Sequence, residues 1–238
     1  MKRRSLVLVL VPLAGLLAVL PSATAETKNK ARPFEAADLK VEINATDGDA
    51  GLQVFLDDEA WKKIKIVNPA GRKMVDLKAT GPLKNYGLTE LFSESSEPPF
   101  DEFPLEQFKR LFPEGDYLFT GTLIDGTKLR SNVPLTHDFP DGPQIVTPQD
   151  GDVLARDQVV ILWEPVTTPP GVDIAGYQVL AVADDGSEKT YSVDLPASAR
   201  QIPVPGAFLQ PQTAYKVEVL AIEASGNQTL TEVTFTVR

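Results

Sequence analysis

The chain has 238 residues, a net charge of −10, no cysteine and one histidine, His137. Without cysteine there is no disulfide framework, thiol nucleophile, thiolate zinc site or redox pair, and one histidine cannot build a multi-histidine metal centre. The acidic balance argues against nucleic acid or an anionic membrane surface as partner, and it leaves carboxylates as the main chemistry-bearing groups.

Residues 1–25 read as a secretory signal peptide. Lys2, Arg3 and Arg4 form a basic start, Leu6 to Leu20 an apolar run, and Ala23-Thr24-Ala25 a small-residue cleavage signature. The run is short for a full membrane span and Pro12 interrupts it, so a leader that is removed is expected rather than an anchor. Cleavage after Ala25 takes away three basic residues and no acid, leaving 213 residues with a net charge of −13. That length suffices for two domains of about 100 residues.

Residues 26–37 open with the polar, aperiodic ETKNKARP and are expected as a flexible tail. A first β domain is expected over 38–138. In LKVEINA, Leu39, Val41, Ile43 and Ala45 alternate with the period of a half-buried strand. LQVFL and KIKIV follow as two further strands, with Asp57-Asp58-Glu59 between them as a charged turn, and NPAGR turns the chain again. In DYLFTGTLIDGTKLRSNVPLT, Asp125-Gly126 predicts a type I′ hairpin, with Tyr117, Phe119, Gly121 and Leu123 sharing one face.

Between these strands lies SSEPPFDEFPLEQFKRLFPEGDY, the longest excursion without a strand pattern. Phe103-Pro104 predicts a helix start with Pro104 at the first helical position, and Pro113 a stop. Leu105, Phe108, Leu111 and Phe112 form its apolar face, and its acids cap or solvate it. Glu97, Asp101 and Glu102 precede the helix. If they converge, calcium is their expected use, since hard cations take clustered carboxylates. Asp47 and Asp49 are the second metal candidates. An EF-hand count from Asp47 fails, because Leu52 holds the glycine position, and a turn is the simpler reading. A paired-carboxylate glycosidase site needs two acids facing each other, and the spacing here splays them around a short helix.

Trp61 is a candidate sugar-stacking platform, with burial in the core as its competing assignment. His137 has no evident catalytic partner and reads as a surface or interdomain residue. Asn44-Ala45-Thr46 and Asn227-Gln228-Thr229 are glycosylation sequons that matter only in a eukaryotic source. A Pro/Gly-rich linker is expected over 139–148, followed by a second strand-rich domain over 149–238.

This second domain resembles a fibronectin type III module over essentially its whole length. Trp163 and Pro165 in ILWEPV fall where the family has its second-strand tryptophan and following proline. Tyr177 in IAGYQVLAVADDG fits the third-strand tyrosine. Leu209, Pro211, Thr213 and Tyr215 match a Leu-x-Pro-x-Thr-x-Tyr signature. The resemblance implies an Ig-like sandwich with Tyr215 as its tyrosine corner. The last hairpin, EASGNQT, has no Arg-Gly-Asp, so integrin-type attachment does not carry over. The first domain is loosely similar to prealbumin-like and Ig-like bacterial sandwiches, through FPEGDYLFTGTLIDG.

The expected fold is therefore all-β: two tandem β-sandwiches, the first with an inserted helix. The expected function is an exported, non-enzymatic binding or spacer protein whose partner is an extracellular or periplasmic protein or glycan. No nucleic acid or membrane partner and no cofactor are expected. The alternatives are a polysaccharide-active enzyme or accessory using carboxylates, and a calcium-dependent adhesion protein.

Overall fold

Apolar–polar alternation in AADLKVEIN produces strand β1 (Ala36–Asn44), which buries Leu39, Val41 and Ile43 on one face. The computed structural model describes residues 30–187 and 189–238. The expected signal peptide, with Ala23 and Ala25, lies outside the described residues, as does the start of the expected tail.

β1 pairs antiparallel with β2 (Asp49–Val67), a strand of 19 residues. The charged triplet Asp57-Asp58-Glu59 was expected to be a turn between two strands, but β2 runs straight through it. Alternation instead breaks at two register shifts, between Asp57 and Trp61 and between Trp61 and Lys63. Leu52, Val54 and Leu56 face inward before the shifts, Trp61 between them, and Ile64 and Ile66 after them. Such bulges bend a strand, and here they let one strand serve two sets of neighbours. Asp58 is 2 % exposed at this bend, and burying a carboxylate demands a partner. Arg32 supplies it with two hydrogen bonds, at 2.9 and 2.6 Å, and the Glu35 N–H adds a third at 3.1 Å. Arg32 also bridges the backbone beside Leu129, so the tail is pinned from Arg32 onward.

Beyond the bend β2 pairs with β3 (Lys73–Lys78). A four-residue helix α1 (Leu83–Tyr86), with no counterpart in the sequence reading, leads to β4 (Leu88–Glu94), which pairs with the first half of β2. The inserted helix α2 (Leu105–Leu111) buries Phe108, with Leu105 and Phe112 packed beside the core. Leu111, expected on the buried face, is 49 % exposed, and Pro104 caps the helix from just outside it. β5 (Gly115–Leu123) and β6 (Lys128–Leu135) complete the first module. Tyr117, Phe119, Gly121 and Leu123 point inward as the period of two requires. Their hairpin is not type I′: only Gly126 has a positive φ, 98°, and Asp125 instead accepts the Thr127 N–H at 2.8 Å.

The second core gathers residues from Val159 to Val237. β7 (Ile145–Thr147), which lies inside the stretch expected as linker, β9 (Val160–Trp163) and β12 (Gln201–Pro203) form a three-stranded sheet. β8 (Asp152–Leu154) sits against the far end of the opposite sheet. That sheet holds β10 (Ile174–Ala183), β11 (Thr190–Pro196), β13 (Ala214–Glu223) and β14 (Gln228–Val237), in the order β11-β10-β13-β14. Three strands facing four is the fibronectin type III arrangement. Trp163, Tyr177, Leu209 and Tyr215 are all buried, while Pro211 lies at the surface. The Tyr215 hydroxyl accepts the Gln210 N–H at 2.7 Å, which is the tyrosine corner.

The two modules share a sheet. β14 pairs in parallel with β1 (Glu42 with Gln228, Ile43 with Thr229, Asn44 with Leu230), so among the described residues eleven strands form one hydrogen-bonded sheet. Residues 31–238 accordingly form one compact unit. Asn227, 1 % exposed, locks the junction. Its Oδ1 accepts the Val41 N–H at 2.9 Å, and its Nδ2 donates to Thr136 O at 3.0 Å, Thr136 Oγ1 at 3.1 Å and Asp138 O at 3.3 Å. This consumes the side-chain amide, so the Asn227 sequon is not a glycosylation acceptor in the folded chain. The Asn44 amide is likewise engaged, by Asp47 and Glu232.

Asn227→Ala leaves several buried backbone groups unpaired, at about 1–3 kcal/mol each before relaxation. The expected loss is about 3 kcal/mol in urea unfolding. It should be accompanied by separation of one unfolding transition into two as the modules uncouple.

Candidate functional sites at the module junction

Two features stand out at the junction. The first is a group of carboxylates on the outer face of β1, β2 and β4. Glu42, Glu94 and Glu97 each place an oxygen within 4.8 Å of the others. Glu97 reaches them because the segment before α2 is stitched to the start of β2. The Ser95 and Leu52 backbones bond at 3.0 Å, the Leu52 N–H reaches Ser95 Oγ at 2.9 Å, and the Phe100 N–H reaches Gly48 O at 2.7 Å. Gly51 is the floor under Glu97, and a Cβ there would collide with the Glu97 carboxylate.

Burial and three like charges, Glu94, Asp49 and Glu42, push the Glu97 carboxyl from its ordinary 4.5 up to about 7. Desolvation also raises Glu42, although hydrogen bonds from Gln228 and Gln53 and the charge of Lys40 oppose it. Desolvation, with Asp47 and Glu232 nearby, raises Asp49. Gln53 and Gln228 are the buried donors of the group, with Gln53 bonding Glu94 at 2.8 Å and Gln228 bonding Glu42.

Of the acids singled out in the sequence, the structure therefore unites Glu97 with Asp49 and leaves Asp101 and Glu102 in an exposed turn. Asp47 bonds Asn44 at the β1–β2 turn. Glu42 and Glu94 were missed, because strand register, not sequence spacing, brings them to Glu97. Among the described residues this is the group with the chemistry to hold a hard cation, since three carboxylates share one approach.

The second feature is a groove of about 540 Å³. Phe100, Leu105 and Lys109 of the insertion form one wall, His137 and Phe139 another, and Thr229 of β14 lines it from the second module. Thr229 is 2 % exposed, and its hydroxyl has no hydrogen-bond partner. His137 is fixed by its Nε2, which donates to the Phe112 carbonyl at 2.8 Å, and by its own N–H, held by Glu114. That carbonyl can only accept, so Nε2 carries the proton. Lys109 lies over the Phe139 ring, 5.7 Å from its centroid. Trp61 is no part of either site. At 1 % exposure it fills the core at the bend of β2, so its ring offers no stacking surface.

Among the described residues no helix is long and apolar enough to cross a membrane. No protein-family model matches the chain, and none of the curated proteins matches it. Among solved structures, the FN1–FN3 domains of chicken CNTN1 are similar at 14 % identity and a TM-score of 0.33, over 87 % of this chain and 65 % of theirs. A two-domain fibronectin type III segment of chicken tenascin is similar at 12 % identity and a TM-score of 0.31, over 83 % of this chain and 96 % of that one.

The raised carboxyl of Glu97 makes stability depend on pH. Its folded state holds a proton more tightly than the unfolded chain, so its favourable contribution is complete below about 4.5 and disappears as pH climbs through about 7. Thermal melts should therefore fall between pH 5 and 8, and Glu97→Gln should flatten that slope and raise the midpoint at pH 8. A calcium-dependent rise at pH 8 in the wild type but not in Glu97→Gln would mark the group as a cation site.

Proposed function

We propose that the chain is an exported, non-enzymatic binding or spacer protein that captures a protein or glycan ligand in the junction groove. The observation that carries this reading is the Thr229 hydroxyl. A buried hydroxyl without a partner costs about 1–3 kcal/mol, and this one belongs to a residue that lines an aromatic-walled groove between two modules held as one body. Convergent polar groups in a mostly apolar concavity are the usual form of a ligand site. Lys109 and His137 add charge and polarity at its edge. A groove built from two modules locked by a shared sheet needs no closure to be formed, which reduces the ordering cost of binding. The leader-like residues 1–25 and the fibronectin type III-like fold, common in extracellular binding and spacer proteins, support a site of action outside the cytoplasm.

Expression with the full sequence should yield an exported form whose mass begins at Glu26. Retention of the intact chain inside the cell would overturn the export reading. Thr229→Val keeps the shape and removes the unpaired hydroxyl. It should stabilise the free protein by about 1 kcal/mol and weaken capture of ligands found on glycan and peptide arrays by about tenfold. Unchanged capture, or turnover of a captured glycan, would overturn the binding reading.

A further inference from the structure

A separate surface on the first module carries a second binding inference, independent of the junction groove. On the outer face beyond the bend of β2, strand register aligns cations that the sequence scatters. Lys63 stands opposite Thr122, which stands opposite Lys128, and Lys65 stands opposite Thr120, which stands opposite Arg130. The short threonines of β5 thus lie between two rows of long basic side chains. The result is a trough of about 360 Å³, floored by Thr120 and Thr122 and walled by Lys63 and Lys65 on one side and Lys128 and Arg130 on the other. Lys78 continues the Lys63 row onto β3.

Little on this face neutralises the charge. Asp76 is shared between Lys73 at 2.8 Å and Lys63 at 3.8 Å, and it also stands directly opposite Lys65 across the β2–β3 ladder. Lys65, Lys78, Lys128 and Arg130 make no ion pair among the described residues. Edge protection explains part of the pattern, since lysines on exposed edges block strand addition. It does not explain Lys63 and Lys65, because β2 has hydrogen-bonded neighbours on both sides there. Lys63 directly opposite Lys78 is a like-charge cross-strand pair, which costs stability rather than adding to it. A cluster of this kind in a chain of net charge −10 is a local reversal of sign.

We propose that this trough binds a linear acidic polysaccharide lying along β5. Cations recur about every 7 Å along each wall, and the walls stand about 10 Å apart, two strand spacings. A single extended chain with charges to both sides matches that geometry. The floor hydroxyls are held within the protein, Thr120 Oγ1 donating to the Lys65 carbonyl at 3.3 Å and Thr122 Oγ1 accepting from Lys128 Nζ at 3.1 Å, so the cations carry the recognition. Nucleic acid fits less well. No aromatic side chain lines the trough to stack a base, and its width does not admit a duplex. An acidic peptide would find no free strand edge at β5, which is paired on both sides.

The test is retention of the full chain on immobilised polygalacturonate, with dextran as the uncharged control. The wild type should bind polygalacturonate in low salt and lose affinity steeply as salt rises. The double variants Lys63→Gln/Lys65→Gln and Lys128→Gln/Arg130→Gln should each lose about tenfold or more in affinity. Their melting temperatures should be unchanged or higher, since repulsion is relieved. Lys84→Gln, an exposed cation on α1, should bind as the wild type does. The proposal is overturned if the wild type treats polygalacturonate and dextran alike, or if the double variants bind unchanged. Equal competition by polyglutamate or single-stranded DNA would also overturn it, by showing a surface that reads charge alone.

Discussion

The parallel pairing of β14 with β1 is the constraint on which the rest of the architecture depends. A sandwich standing alone exposes a strand edge whose N–H and C=O groups invite another chain. Here each module covers the edge of the other, over Glu42–Asn44 and Gln228–Leu230. Asn227 finishes the seam where the ladder ends, spending its whole amide on Val41, Thr136 and Asp138. That seam turns two cores into one body. It also sets Thr229 of the second module in the same groove as Phe100, Leu105 and Lys109 of the insertion. A flexible linker between independent domains would supply none of this. The proline-rich stretch after Thr136 behaves accordingly, with β7 claiming residues 145–147 for the second module's small sheet.

Much of this was legible in the sequence wherever the decisive contacts are local. The tyrosine corner depends on Tyr215 and Gln210, five residues apart, and the helix on Phe108 between two prolines. Alternation alone oriented β1 and β5. What escaped the sequence was set by distant partners. Asp57-Asp58-Glu59 has the composition of a turn, and a cation 26 residues away, with the Glu35 N–H, makes Asp58 tolerable inside a strand. Arg32 looked like part of a tail for the same reason. Bulges on either side of Trp61 then broke the alternation that would have announced one long strand.

The candidate sites follow the same division. Glu97 was visible as an acid ahead of a helix, but the residues that raise its carboxyl sit on β1, β2 and β4 and arrive through register. The basic trough was wholly hidden. Net charge sums over the chain, and a value of −10 conceals a face on which lysines and an arginine border one another. Sequence reading argued against nucleic acid and an anionic membrane surface on the strength of that sum, and a net sum does not report the local field to which binding responds.

Both charged surfaces are built on β2, and the bend between them explains how they coexist. Ahead of Trp61 the outer face of β2 presents Asp49, Gly51 and Gln53, bordered by Glu42 and Glu94. Behind it the same strand presents Lys63 and Lys65, bordered by Lys78, Thr120 and Thr122. Each half meets different neighbours, so like charges accumulate on either side, with Asp76 on β3 the carboxylate that faces Lys63 and Lys65 across the strand. Opposite charges placed in register throughout would have formed surface ion pairs worth little to stability. Segregated, they leave a carboxylate group that resists full ionisation and a cationic trough with few carboxylate partners. The bulged strand that closes the core thereby sets the polarity of the surface.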